Sequence, residues 1–407
     1  MRQTVRAIAL TIDLFVAVLM GLTVYAGQLL PDSYSVVTGE SIRLPVPVSM
    51  EREPAVQAQL SITSGGSYQS ELRLLGIIPI KSVEVRVVDR KLVRVSGAPF
   101  GIKMFTDGLM VVGMSDVAGD GQRLNPARQA GVRIGDIVEQ VDGVRLCSNE
   151  QLGALVEQSG GRAVRLTLRR DGERLELEVP PLRSVGDGKY RLGVWVRDSS
   201  AGIGTLTYYD PNSGLFTGLG HAVCDVDTGE LMPLQSGEIV TAEITGCRMG
   251  LPGSPGELKG RFSSRNTLGQ LCGNTATGVY GYLQGSIYLG EQLPLALQSE
   301  VRPGKAMIYT TLEGTIPQAY AVEIETLNNK PSGKGQNMVV KVTDPRLLSK
   351  TGGIVQGMSG SPIVQNGMLV GSVTHVFVND PQRGFGIFAE NIAQNAGTVS
   401  QSVTPAA

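Results

Sequence analysis

The most informative stretch of the sequence is Gly353-Ile354-Val355-Gln356-Gly357-Met358-Ser359-Gly360-Ser361-Pro362. A serine that attacks a carbonyl carbon needs an exposed Oγ and backbone N–H groups directed at the developing oxyanion. Glycines on both sides of Ser359 allow the tight, partly positive-φ path that turns such amides inward. The stretch therefore predicts Ser359 as a nucleophile, with the N–H groups of Gly357 and Ser359 as oxyanion donors. The alternative is an ordinary Gly/Ser/Pro turn, of which Gly253-Ser254-Pro255 is another example.

The chain has only two histidines, His221 and His375, so few residues can serve as the general base for Ser359. His221 follows small residues and precedes the serine, which is the chymotrypsin order and leaves room for one barrel around each residue. His375 lies in an apolar strand after the serine, where chymotrypsin-like enzymes form a wall of the substrate cleft. His375 and its neighbour Thr374 are both candidates for this wall, and we expect at most one of them to face substrate, because the side chains of a strand alternate. A structural strand histidine is the alternative.

Three carboxylates are candidates for the residue that orients the histidine. Asp225 and Asp227 follow His221 in an Asp/Gly-rich turn, whereas Asp344 precedes Pro345, which keeps it extended. Spacing alone does not choose among them.

Composition narrows the function classes. The chain has 407 residues, a formal net charge of −1, 53 glycines and few aromatic residues, which is typical of a turn-rich β protein with two or three domains. The absence of a basic stripe argues against nucleic acid as a partner. The four cysteines (Cys147, Cys224, Cys247, Cys272) are too sparse for a disulfide scaffold and lack paired zinc knuckles, so neither a metal nor another cofactor is expected.

The N-terminus (residues 1–30) predicts a membrane anchor. Arg2 and Arg6 precede the uncharged segment Leu14–Leu30, which as a helix would span roughly 25 Å, just short of a bilayer core. The positive flank places the N-terminus inside and the bulk of the chain outside. A cleaved signal peptide is the alternative, although no clear Ala-x-Ala follows.

Residues 31–70 are polar and punctuated by proline and glycine, which predicts a flexible tether. If the protein is a protease, this tether is where self-processing is expected. Residues 71–98 form a β segment, in which Ser82–Val87 alternates as a half-buried strand does and Lys91–Val95 is a second strand.

Residues 99–183 resemble a bacterial PDZ domain. The similarity rests on Asn125–Val138, which contains Pro-Ala-x-x-Ala-Gly-Val-x-x-Gly-Asp, followed by a helix over Ser148–Gln158 and a hairpin turning at Arg170-Asp171-Gly172. PDZ domains add an extended peptide to a strand edge and hold its carboxylate with backbone amides. We expect that carboxylate loop at Phe100, Gly101 and Ile102. The alternative is a module that packs within its own chain and takes no separate peptide.

Residues 184–392 contain many short strands with Gly turns and no long amphipathic helix, which indicates barrels or sandwiches. With the nucleophile loop, the favoured fold is mainly β: an N-terminal membrane anchor, a PDZ domain and a chymotrypsin-like double β-barrel serine-peptidase domain. An α/β-hydrolase is excluded, because no strand–Gly-x-Ser-x-Gly–helix elbow is present. Residues 393–407 are predicted to be a disordered tail.

Three segments resemble the stage IV sporulation protein B (SpoIVB) serine peptidases of endospore-forming bacteria. They are Thr217–Glu230, Val342–Pro362 and Val373–Pro381, and the similarity also includes the order of anchor, PDZ module and peptidase domain. The resemblance assigns the catalytic roles to His221, Ser359 and Asp344.

The resemblance also implies a cellular role. Such a serine endopeptidase is secreted across the forespore membrane into the intermembrane space, processes itself and cleaves a SpoIVFA-type membrane regulator, which leads to sigma-K activation. Its PDZ ligand would be either its own chain or an inhibitor. The competing hypothesis is a PDZ-based signalling adaptor whose peptidase-like domain is only a docking platform.

Overall fold

A computed structural model of the protein describes residues 2–40, 42, 44, 48–51, 65–328 and 336–402. Its first element is helix α1, Arg2–Leu29, which includes an unburied segment, Leu10–Gln28, with a mean hydropathy of 1.9. This helix is long and apolar enough to cross a membrane, in agreement with the predicted anchor.

A small four-stranded sheet follows α1, in the order β1-β4-β3-β2. Strand β1 runs parallel to β4, and the sheet buries Tyr34, Val36, Leu72, Val83 and Val85. The tether prediction is therefore wrong for the parts of residues 31–70 that form strands, whereas residues 52–64 lie outside the described residues. The strands are β1 (Ser33–Val37), β2 (Val48–Glu51), β3 (Ser67–Leu74) and β4 (Ile78–Val88).

The predicted PDZ module contains the expected helix and hairpin. Ser148 caps the helix by accepting a hydrogen bond from the Gln151 N–H, and Asp171 and Gly172 both have positive φ at the hairpin turn, as a two-residue turn requires. The helices are α2 (Pro126–Gln129) and α3 (Asn149–Gln158). The strands from here to the next domain are β5 (Leu92–Val95), β6 (Pro99–Met114), β7 (Val117–Gly119), β8 (Gln122–Leu124), β9 (Ile137–Val141), β10 (Val144–Arg145), β11 (Val164–Arg170), β12 (Glu173–Val179), β13 (Leu182–Arg183), β14 (Tyr190–Arg191) and β15 (Val194–Asp210).

The first barrel is a ring of six strands. The order β6-β17-β18-β19-β16-β15 closes because β15 also pairs with β6, and the interior is filled by residues such as Phe100, Met104, Leu206 and Phe216. The added strands are β16 (Leu215–Gly218), β17 (Leu234–Arg248), β18 (Glu257–Thr275), β19 (Gly278–Leu283) and β20 (Gln292–Pro294).

The second barrel is closed in the order β21-β22-β23-β26-β25-β24. With the first, it confirms the predicted double β-barrel. Its elements are β21 (Gly304–Thr310), β22 (Gln318–Leu327), β23 (Met338–Val342), helix α4 (Pro345–Thr351), β24 (Pro362–Gln365), β25 (Met368–Phe377) and β26 (Asp380–Phe388). A 3-10 turn, Gln298–Glu300, precedes it.

The chain ends in helix α5, Ala389–Ser402. Ile392, Ala396 and Val399 are buried against residues of both barrels, including Tyr280 and Leu369. The prediction of a disordered tail is therefore wrong as far as residue 402, because small apolar residues at helical spacing form a packing face. Residues 403–407 lie outside the described part of the chain.

Strands β6 and β15 join the PDZ module to the first barrel. They pair antiparallel from Val194↔Met114 in the module to Thr205↔Pro99 in the barrel. The module therefore has no boundary at residue 183, because β15 completes both units.

Candidate active site

Ser359 lies between the two barrels, in the loop that leads into β24. Gly357 and Gly360 have φ values of +95° and +94°, which suits glycine. A Cβ on Gly360 would lie 2.1 Å from the Thr205 carbonyl oxygen, so the loop can sit against β15 only with glycine at that position.

Some backbone N–H groups of this loop are hydrogen-bonded within the protein and others are not. The N–H groups of Met358, Gly360 and Ser361 donate to the carbonyl oxygens of Val355, Val373 and Met358 at 3.1, 2.8 and 2.9 Å. Within the described residues, no acceptor is assigned to the N–H groups of Gly357 and Ser359. These are the two donors that the sequence predicts for an oxyanion hole.

The Ser359 hydroxyl is not paired with a histidine in this structure. Its Oγ donates to the carbonyl oxygen of Thr374 in β25, at 2.7 Å. Reaction with a carbonyl carbon would require the hydroxyl proton to leave this acceptor for a base.

His221 reaches the same strand from the first barrel, directly after β16. Leu219 and Gly220 have φ values of +67° and +68°, and a Cβ on Gly220 would lie 2.6 Å from the Ser372 hydroxyl oxygen. The buried Leu219 side chain and its N–H, which donates to the Thr205 carbonyl oxygen at 3.2 Å, hold this unusual turn. The chain path thus brings His221 against β25.

A backbone carbonyl fixes the tautomer of His221. Its Nδ1 lies 2.7 Å from the Ala222 oxygen, which can only accept, so Nδ1 carries the proton and Nε2 is left as the basic nitrogen. Desolvation by burial lowers the pKa of His221, against a smaller opposing effect of the Ala222 carbonyl. The ring is therefore neutral at neutral pH, as a general base must be.

His375 lies beside His221. The ring centroids are 4.8 Å apart and the rings are tilted by 35°. Although the residue as a whole is exposed, desolvation of the ring, followed by the charge of His221, lowers the pKa of His375 to about 4. Thr374 is fully buried, so its side chain cannot line a substrate cleft and the prediction for that residue is wrong. Of the two, His375 is on the accessible face.

Asp344 has other partners in this structure. Its carboxylate caps α4 and accepts hydrogen bonds from Arg346 and from the Ala321 N–H. The Arg346 side chain in particular holds the pKa of Asp344 far below its usual range. These contacts connect α4 to β22, and among the described residues none joins Asp344 to His221.

Asp225 and Asp227 bind Arg197 of β15. Burial alone would raise the pKa of Asp225, but the N–H groups of Thr228 and Asp227, together with Arg197, lower it. Both carboxylates therefore fix the turn that follows His221, and neither faces the imidazole.

A cleft of about 520 Å³ opens beside Gly357. Its lining combines apolar and charged side chains beside the nucleophile loop. The lining residues are Ile203, Glu257, Leu258, Lys259, Gly260, Gln356 and Gly357.

The predicted PDZ carboxylate loop is misplaced. Phe100, Gly101 and Ile102 lie within β6, paired to β15 on one side and to β17 on the other. Phe100 and Ile102 are buried in the barrel, so these residues cannot hold a peptide. An apolar-Gly-apolar pattern occurs many times in this glycine-rich chain and therefore does not identify the loop. The copy Leu192-Gly193-Val194 is the one beside the module's helix α3.

Two threonines of β15 hold the nucleophile loop, and the sequence analysis did not find them. The Thr205 hydroxyl donates to the Gly357 oxygen at 2.8 Å, and its N–H donates to the Ser359 oxygen at 3.2 Å. The Thr207 hydroxyl donates to the Gly360 oxygen at 2.7 Å. In the sequence, Thr205-Leu206-Thr207 shows only the alternation of a β-strand, which does not reveal these hydrogen bonds.

Comparison with protein families adds an independent observation. A family model described as SpoIVB peptidase S55 matches residues 188–393, and a PDZ domain model matches residues 125–170. The first match begins just before β14 and contains His221, Asp344 and Ser359. The second extends from the start of α2 to the end of β11.

Proposed function

Because this chain belongs to the SpoIVB peptidase S55 family of serine peptidases and carries a PDZ domain, we propose that Ser359 and His221 perform its peptide-bond hydrolysis. The observation that supports this assignment is their convergence on β25, next to two unbonded amides. Ser359 Oγ attacks the scissile carbonyl carbon, and His221 Nε2 takes the proton and returns it to the leaving amine. The N–H groups of Gly357 and Ser359 stabilise the oxyanion.

We assign the orienting carboxylate of the triad to Asp344, because Val342–Pro362 resembles the family's motif. In the present structure the Ala222 oxygen selects the His221 tautomer, which is one task of a triad carboxylate. His375 is proposed to line the substrate cleft from the accessible face of β25.

Covalent labelling with a fluorophosphonate probe tests this assignment. Wild-type protein should label at Ser359, and Ser359→Ala and His221→Ala should each reduce labelling to a similar background. The double variant should be scarcely worse, because the two residues act as one unit. Ser361→Ala is the matched control, since its buried hydroxyl has no hydrogen-bond partner among the described residues. Wild-type protein that does not label would instead favour the adaptor hypothesis, and labelling that survives Ser359→Ala would assign the nucleophile to another residue.

We further propose the cellular substrate and location that the resemblance implies. The anchor helix α1 would hold the peptidase at the outer face of the forespore membrane, where it processes itself and cleaves a SpoIVFA-type regulator in sigma-K signalling. Support comes from the length and hydropathy of α1 and from the family membership.

Coexpression with the extracytoplasmic part of such a regulator tests the substrate. Wild-type protein should generate regulator fragments and shorten itself, and Ser359→Ala should do neither. Fragments of equal amount with both proteins would assign the cleavage to another protease.

A further inference from the structure

Strand β15 has an unpaired edge beside helix α3. Val194–Arg197 pairs with Met110–Met114 on one side, and in the described part of the chain no strand pairs with the other side. Hydrogen bonds connect this segment to both ends of α3: Tyr190 N–H donates to Glu157 at 2.8 Å, and Asn149 N–H donates to Asp198 at 3.1 Å. Strand edge and helix thus form two walls of a groove.

The lining of this groove is apolar and partly accessible. Val194 and Val196 from the strand and Leu155 from the helix are half-buried and pack on the core of the PDZ domain. An edge of unpaired backbone groups next to such side chains fits an extended peptide, which adds as a strand.

One end of the groove fits a carboxylate. The Leu192 and Gly193 carbonyl oxygens point inward, because they accept hydrogen bonds from Ala127 and Ser115 N–H groups at 2.9 and 3.0 Å. No acceptor is assigned to the N–H groups of Leu192 and Gly193 among the described residues. Gly193 has a φ of +79°, and a Cβ there would lie 2.7 Å from the Ser115 oxygen, so only glycine gives this path. Successive free amides of this kind bind anionic groups.

The same strand contacts both catalytic segments. Arg197 binds Asp225 and Asp227 in the turn after His221. Eight residues further along, at the other end of the paired segment, Thr205 binds the carbonyl oxygens of Gly357 and Ser359. A shift of β15 would therefore move the histidine turn and the nucleophile loop together.

As in PDZ domains generally, the groove between α3 and Val194–Arg197 suits an extended peptide with a free C-terminal carboxylate and an apolar last residue. From the contacts of β15 we propose that a peptide bound there increases the reactivity of Ser359 through this strand. The inference rests on the proposed function of Ser359. Activation is the expected direction, because the Ser359 hydroxyl donates to the Thr374 oxygen and not to His221 in this structure, so the reactive pair still has to be joined.

The test uses the full-length protein and a pool of octapeptides that end in Val, Leu, Ile or Phe. Binding is measured by fluorescence anisotropy, and reactivity is measured as the rate of fluorophosphonate labelling at Ser359. The free-carboxylate pool should bind and raise the rate about 5-fold or more, a typical size for coupling between two sites. The same pool with C-terminal amides is the control and should do neither.

Two variants distinguish peptide binding in the groove from the effect of the bound peptide on Ser359. Leu155→Glu should abolish peptide binding, and Arg197→Met should bind peptide but lose the rise in rate. Equal binding of acid and amide peptides, or none, would overturn the groove. Bound peptide with an unchanged wild-type rate would overturn the coupling, and no labelling with or without peptide would overturn both this inference and the function of Ser359.

Discussion

At the scale of single residues, the chemistry of the candidate active site depends on the protonation of His221 and on the acceptor of the Ser359 hydroxyl. His221 is neutral with Nε2 free, and Ser359 donates to a backbone oxygen. The proposed reactive pair therefore lies against the same strand, but its hydroxyl and imidazole each bind a backbone oxygen.

The pH dependence follows from the lowered pKa of His221. The base must be neutral, so activity is present above the His221 pKa and is lost as the pH falls through it. Since that pKa lies below the ordinary value of about 6.5, the labelling rate should stay high at pH 6.5 and fall only in more acidic buffer. An inflection at pH 7 or above would contradict the burial of His221.

The same two histidines affect stability, so folding must be measured alongside the rate. His221 and His375 are held neutral in the folded protein, and the unfolded chain binds protons more readily. Stability should therefore decline below about pH 6.5 and continue to decline towards the His375 pKa of about 4. Tryptophan fluorescence at each pH separates this loss from the titration of the base.

A pair of substitutions at Asp344 distinguishes catalysis from helix capping. Asp344→Ser keeps a good N-cap for α4 but removes the carboxylate. If Asp344 acts in the triad, Asp344→Ser and Asp344→Asn should both lose most of the labelling at a temperature well below their melting temperatures, which the lost contacts with Arg346 and Ala321 should lower. Asp225→Asn should lose less labelling. Full labelling in Asp344→Ser would show that Asp344 only caps α4.

The sequence selected Ser359 and His221 as candidates because one has a specific motif and the other has few competitors. It did not identify Arg197 or Thr205, since their roles depend on the register of β15 against segments distant in the chain. Asp344 shows what local sequence can and cannot predict. Pro345 indicates that the backbone of Asp344 is extended, but the sequence does not indicate which groups bind its carboxylate.

At the scale of secondary-structure elements, strand β15 contributes to several parts of the fold at once. It completes the PDZ domain, closes the first barrel and holds the nucleophile loop. Thr205→Val should remove the hydrogen bond to the Gly357 oxygen and slow labelling of Ser359, and Thr205→Ser should restore it. Equal rates in the two variants would mean that the bond does not position the loop.

Helix α5 is expected to stabilise the peptidase domain. Ile392 is fully buried, and its carbonyl oxygen accepts from the Tyr280 hydroxyl at 3.2 Å. Ile392→Ala should cost about 2–5 kcal/mol of unfolding free energy, measured by denaturant titration, whereas Gln394→Ala on the exposed face should cost little. Similar stabilities of the two variants would contradict this packing.

The elements that the sequence missed share one property, a short or weakly apolar pattern. The buried face of α5 includes alanines, and β1 has only five residues and pairs with β4, which is far from it in the chain. By contrast, the strands of the barrels have clear alternation, and Asp171-Gly172 marks a hairpin without any tertiary information.

At the scale of the whole molecule, the chain is a series of joined units on one anchor. The PDZ domain and the first barrel share β6 and β15, and α5 packs on both barrels. The sequence predicted an N-terminal apolar helix, a PDZ domain and two barrels, but not the small sheet. Shared strands leave no change of composition at a boundary.

The small sheet gives a prediction for self-processing. If the chain is cut between residues 52 and 64, strands β1 and β2 stay with the anchor, yet both are hydrogen-bonded into the sheet of the other fragment. Two fragments should appear on a denaturing gel, while both sediment with membranes under native conditions. Val36→Asp, which places a charge in the buried face of β1, should release the larger fragment, and its release without that change would show that the pairing is weak.

With such a sheet, cleavage of the chain and dissociation of the two fragments are separate events with separate rates. Breaking the peptide bond converts an intramolecular strand pairing into an ordinary complex of two polypeptides, with a dissociation constant and a lifetime of its own. A cut enzyme would then remain near its membrane substrates for as long as β1 stays bound to β4. How far the cut protease can move from the membrane would therefore depend on the affinity with which the five residues of β1 bind to β4.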